Sequence, residues 1–136
     1  MRRRLQWGWT AALCALQAGC PEPVAPRLSA IEERVFAPSC TFSSCHSASG
    51  HAGDLVLERG QSFANLLHQA ASQEQAALEH LVRVQPGQPD QSFLAIKLRA
   101  GMPAKYGLHM PNGQGQLDAD QSQAIEEWIR LGALDN

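Results

Sequence analysis

The chain lacks an apolar run of bilayer length. Its longest, Leu5 to Leu16, is well short of the ~20 residues that a spanning helix needs. It also lacks a positive balance: 11 Lys and Arg stand against 13 Asp and Glu, and three of the basic residues are Arg2, Arg3 and Arg4. The chain beyond Arg4 is mildly acidic, which argues against nucleic-acid binding. No phosphate-binding glycine loop, internal repeat or low-complexity domain is present. His51, His68 and His80 have no nucleophile motif beside them and read as solvated side chains, just as Glu126 and Glu127 read as the wet side of a helix. Cysteine is sparse, with four in all, and two of these fall in the first twenty residues.

Those twenty residues read as an export signal and not as part of the fold: a basic start, a short apolar stretch, then Ala18-Gly19-Cys20. The end resembles a bacterial lipobox, with Gln17 where an apolar residue is usual. Lipidation of Cys20 would anchor the exported chain at a periplasmic membrane face; plain cleavage or a retained anchor are the alternatives. Pro21, Pro23 and Pro26 make 21–27 a proline-rich tether, expected to be an extended spacer. The remainder, 28–136, is enough for one small domain with one modest core.

That domain reads as all-helical. Leu28, Ile31 and Val35 recur at helical spacing, with Ser29 and Glu32 as a capping pair and Pro38 as a stop. Phe63, Leu66, Leu67 and Ala70 form a second apolar face, and Ala77, Leu78, Leu81 and Val82 a third. After a turn at Pro86-Gly87-Gln88-Pro89-Asp90, Asp90 or Ser92 is expected to cap a short helix through Phe93, Leu94, Ile96 and Leu98. Residues 99–116, punctuated by glycine and two prolines, read as a long irregular loop, which in so small a domain is usually functional. A last helix starts at Asp118, capped with Gln121, and carries Ala124, Ile125, Trp128 and Ile129 to Gly132; Trp128 and Ile125 are expected to pack on the first helix.

The chemistry is concentrated in Cys40-Thr41-Phe42-Ser43-Ser44-Cys45-His46. Two thiols followed directly by an imidazole are what covalent haem attachment requires: each sulfur forms a thioether to a vinyl group and the histidine ligates iron. The usual gap is two residues; here it is four, so the extra residues must loop out. His46 is the proximal candidate. Met110 and Met102, each followed by proline in the irregular loop, are the distal candidates. Met110 is preferred because it lies nearer the last helix, between Gly107 and Gly113; core packing is the expectation for Met102. His109 offers a bis-histidine alternative, against an exposed loop histidine as the plainer expectation.

Several pieces in order resemble the small single-haem cytochrome c domains of bacterial exported proteins, particularly lipoprotein-like ones of myxobacteria and planctomycetes. They are Val35-Phe36-Ala37-Pro38-Ser39-Cys40, Ser44-Cys45-His46, Val84-Gln85-Pro86-Gly87, Pro89-Asp90-Gln91-Ser92-Phe93-Leu94, Lys97-Leu98, His109-Met110-Pro111 and Trp128-Ile129-Arg130-Leu131-Gly132-Ala133. The resemblance implies a class I cytochrome c-like fold and one covalent haem c held by Cys40 and Cys45. It further implies His46 and Met110 as axial ligands, Pro86 and Gly87 along the haem edge, and electron exchange with other redox proteins without enzyme activity.

Two other readings use the same residues. Cys40 and Cys45 could form a local disulfide in a haem-free structural or interaction lipoprotein, worth about 2 kcal/mol by chain entropy. Alternatively Cys40, Cys45, His46 and His51 could supply a zinc ion, although the adjacent Cys45 and His46 are awkward as ligands of one metal.

Overall fold

A computed structural model describes residues 22–136, so the expected export signal, Cys20 and Pro21 lie outside the described residues. The first helix, α1, runs over 28–39 as an α-turn at Leu28–Ile31, a wider π-type stretch at Glu32–Phe36, and a last turn at Ala37–Ser39. Pro38 stands in that last turn and Cys40 is the C-cap. Four further α-helices follow: α2 (Ser62–Leu66), α3 (Glu74–Leu78), α4 (Phe93–Leu98) and α5 (Ala119–Arg130). Single 3₁₀ turns lie at Ala52–Asp54, Pro89–Gln91 and Ala104–Tyr106. Among the described residues the only extended pairing is three isolated bridges, Leu67 with Val84, Ala70 with Val82 and Val82 with Ser92. The fold is thus mostly helical, in keeping with an all-α class.

The core explains the order. Helix α5 packs on both α1 and α4. Ile31, Val35 and Phe36 meet Ile125, Trp128 and Ile129 in the main apolar cluster, which Leu57, Leu66, Val84 and Ala95 complete. Trp128 is 1 % exposed, and its indole N–H donates to the Leu134 carbonyl at 2.8 Å, so the ring is buried without an orphaned donor. Helix α5 begins as its sequence predicts, with the Asp118 amide donating to Gln121 Oε1 at 3.1 Å within a capping box. A second, smaller cluster joins Ala71, Ala76, Phe93 and Tyr106, with an edge-to-face contact between the Phe93 and Tyr106 rings at 5.4 Å.

Several expectations are corrected. The N-cap of α1 is Arg27, not Ser29, because the amides of Leu28 and Ser29 are met by the Asn136 side-chain and backbone oxygens at 3.0 and 2.8 Å. Glu32 turns inward, where its carboxylate accepts from Ser62 Oγ at 2.6 Å and from the Gly60 amide at 2.9 Å. The proline-rich segment does not hang free. Its backbone at Arg27 is extended, but Val24 is buried in the main core, and Arg34 donates to the carbonyls of Glu22 and Pro23. It is a strap on the domain, docked by one apolar side chain among prolines. Helix α2 ends at Leu66, leaving Ala70 exposed, and α3 buries Ala76 while Leu78 stays 67 % exposed. Ser92 sits at the N-cap position of α4, yet its buried hydroxyl donates to the Gln88 carbonyl and accepts the Gln85 amide, both at 2.9 Å, and so pins the preceding turn. Among the described residues no helix is long and apolar enough to cross a membrane.

Candidate functional site

The four residues between the thiols form a closed loop. Cys40 ends α1, its amide donating to the Phe36 carbonyl at 2.8 Å. The chain then turns through Phe42–Cys45, with the Cys45 amide on the Phe42 carbonyl at 2.8 Å, and the His46 amide returns to the Cys40 carbonyl at 3.0 Å. Phe42, Ser43 and Ser44 are exposed at the tip. The loop therefore bulges outward and brings the Cys45-His46 pair back beside Cys40.

A second layer of contacts fixes this return. The Cys45 carbonyl accepts the Ala52 amide at 2.9 Å and the His46 carbonyl accepts the Leu57 amide at 2.8 Å. Gly50 lies so close to this backbone that a Cβ there would stand 2.6 Å from the Ser43 carbonyl oxygen, 2.7 Å from that of Cys45 and 2.9 Å from the Cys45 nitrogen. Only glycine fits that approach. Arg83 holds the next stretch, donating to the carbonyls of Asn65, Gly53 and Asp54 at 2.9, 3.0 and 3.0 Å. Neither Gly50 nor Arg83 carries a motif that sequence reasoning could have recognised.

Both thiols are free and half-buried. Burial, with a smaller contribution from the Cys45 charge, pushes the Cys40 thiol up to about 12, so Cys40 is a neutral thiol at any ordinary pH and Cys45 is near enough to be felt. The two can form thioethers or a disulfide. His46 is held below the usual histidine range by burial; the backbone of Ala52 and Leu55 opposes this, and the charges of Arg83 and Lys97 add to it. The imidazole is therefore neutral, as metal ligation requires. Its Nδ1 is the one buried side-chain nitrogen or oxygen among the described residues without a hydrogen-bond partner.

Met110 lies on the irregular loop and is half-buried, and the Met110–Pro111 peptide is cis. Its amide donates to the Lys97 carbonyl at 2.9 Å, and His109 Nε2 donates to the Leu98 carbonyl at 3.0 Å. Those are carbonyls at the end of α4 that the helix itself leaves unpaired, so the loop caps the helix. His109 is consequently tied down and half-buried, not the exposed loop histidine that the sequence predicts. Met102 packs instead against the second cluster beside Tyr106 and Phe93, as its core expectation has it.

The remaining candidates are dispersed. The Gly87 amide donates to the Ile129 carbonyl at 2.7 Å, so Pro86-Gly87 is a turn fastened to the end of α5, and no hydrogen bond links it to the cysteine loop. His51 is exposed, and among the described residues no three of His, Cys, Asp or Glu gather as a metal site, which leaves the zinc reading without its ligand set. His68 and His80 are exposed at turn positions with φ of 54° and 57°. Cys20 lies outside the described residues.

Half-buried apolar side chains collect against the main core without closing over it: Cys40 itself, Leu55, Phe63, Leu67, Leu94 and Leu98. Two surface clefts lie apart from the thiols. One of about 510 Å³ is lined by Leu98, Arg99, Leu117 and Ile125, and one of about 400 Å³ runs under the strap beside Val24 and Ala124. Neither is lined by Cys40, Cys45, His46 or Met110. Comparison with protein-family models, with curated proteins and with solved structures finds no match to this chain.

Proposed function

We propose that this is an exported electron carrier resembling class I cytochrome c, with one covalently attached haem and no enzyme activity of its own. The observation that carries the reading is the 3.0 Å hydrogen bond from the His46 amide to the Cys40 carbonyl. It turns a four-residue gap into an outward bulge and leaves two free thiols and an imidazole at one place.

The chain's own residues supply the donor chemistry that such a group needs. Cys40 and Cys45 would attach it, each thiol adding across a vinyl double bond so that sulfur bonds one carbon and the proton goes to the other. His46 would bind iron through one ring nitrogen. A buried, unpaired Nδ1 costs on the order of 1–3 kcal/mol, a cost that a ligand bound at that nitrogen would offset. The half-buried Leu55, Phe63, Leu67 and Leu94 would cover apolar porphyrin surface. Met110 would supply a second protein ligand, a thioether that raises the potential relative to a second histidine. The bound haem would supply reversible one-electron chemistry; what the protein contributes is ligation, orientation and exclusion of water.

Lipidation at Cys20 would place the domain at a periplasmic membrane face, where its partners are other redox proteins. Three residues separate Cys20 from the docked Val24, so the anchor would meet the domain almost directly. A haem-free protein closed by a Cys40–Cys45 disulfide is the second reading, favoured by the nearness of Cys45 to Cys40.

Acid–acetone extraction followed by a reduced-state visible spectrum tests the proposal. Sharp bands that stay with the protein after extraction support covalent haem; a colourless precipitate overturns it.

A further inference from the structure

One residue grips the loop that carries Met110. Lys97, in the last turn of α4, donates from Nζ to the carbonyls of Tyr106, at 3.1 Å, and Leu108, while its own carbonyl accepts the Met110 amide at 2.9 Å. The contacts fall on alternate residues 106, 108 and 110, so side chain and main chain together span the approach to Met110. The end of a helix does not require this. Its last carbonyls are ordinarily met by water, and a lysine there ordinarily extends its ammonium into solvent. Here Nζ is folded over the Phe93 ring, 5.8 Å from its centroid, with two of its three protons directed at loop carbonyls.

We infer that Lys97 is the positioning residue for Met110, holding its sulfur in place and setting a fixed cation beside the redox site. The inference rests on the haem reading above. A neutral thioether is a weak ligand, so its hold depends on how little the loop must be reordered to present it. The ammonium replaces that ordering cost with hydrogen bonds to carbonyls that a charged donor strengthens. Its charge also favours the reduced iron, which is the less positive state.

Lys97→Met and Lys97→Arg, studied as haem-loaded protein, test this. Two quantities are read: the imidazole concentration that half-displaces the far-red ligand-to-iron band of the oxidised protein, and the reduction potential. Lys97→Met is expected to need about tenfold less imidazole, the loss of charged hydrogen bonds being the cause, and to have a lower potential. Lys97→Arg restores most of both, which a merely structural role would not explain. Should Lys97→Met fail to fold, Lys97→Gln separates the two effects, keeping a donor for the loop while lowering the potential. Wild-type imidazole displacement and potential in the uncharged variant would overturn the inference, as would a haem-loaded wild type without the far-red band. A wild type without haem overturns the underlying reading as well, and it is told apart because no variant is needed to see it.

Discussion

The His46 amide and the Cys40 carbonyl are 3.0 Å apart, across a loop whose intervening residues are mostly exposed. That bond makes the spacing between Cys40 and Cys45 secondary. What matters is that Cys45 and His46 return to Cys40, and the residues packed behind them decide whether they do.

Gly50 is the tightest of these. In Gly50→Ala the new Cβ meets backbone atoms of Ser43 and Cys45 at 2.6–2.9 Å, which cannot rotate away as a side chain would. The variant is expected to lose about 1–3 kcal/mol in denaturant titration, as overpacked sites do, and to load less haem than wild type. Unchanged stability together with full loading would show that the loop is not held there.

Under the haem proposal Met110 and Met102 differ in role. Met110→Ala is expected to abolish the far-red ligand-to-iron band while leaving the fold intact, since its backbone bond to Lys97 survives. Met102→Ala is expected to keep the band and lower the melting temperature, because it removes a side chain from the Phe93–Tyr106 cluster. The reverse pattern would move the ligand to Met102.

In the haem-free protein, acid should weaken the fold in two steps. The His46 pKa in the folded protein is lowered below 6.5 by burial, so the unfolded chain takes up the proton first and stability falls as pH drops below about 6.5, levelling once the folded form also protonates. Glu79 is held at about 2 by hydrogen bonds from Lys105, Tyr106 and Gln75, so its contribution is complete above 4.5 and is lost between 4.5 and 2. Urea titrations across pH check this: His46→Gln should flatten the upper step and Glu79→Gln the lower one.

Ile129 tests the core that orients everything else. It is a fully buried residue of α5 in the main core, and its carbonyl anchors the Gly87 turn. Ile129→Ala should cost about 2–5 kcal/mol, measured by chemical denaturation, with the backbone bond to Gly87 retained.

The parts of this fold that were legible in the sequence are those governed by local signals. Helix α5 announces itself through Asp118, Gln121 and the Ile125–Trp128–Ile129 stripe, because twelve residues give the periodicity room to declare a face. Helix α3 does not: in a five-residue turn Ala76 and Ala77 compete equally for the inner side, and packing against the second cluster decides for Ala76. Val24 could not be read as core from within a run of prolines. The start of α1 depends on Asn136, 108 residues away, which no local motif announces. At the candidate site, Cys40, Cys45, His46 and Met110 are proposed from chemistry and order. The closing bond, the contact at Gly50 and the grip of Lys97 are tertiary and emerge only from the folded chain.

The most direct test of the account is the intact mass of the protein exported by a host with haem-attachment machinery. A mass heavier than the polypeptide by one haem, retained under denaturing conditions, is the expected result. A mass two hydrogens lighter than the reduced polypeptide, with no chromophore, would contradict it and establish the Cys40–Cys45 disulfide in its place.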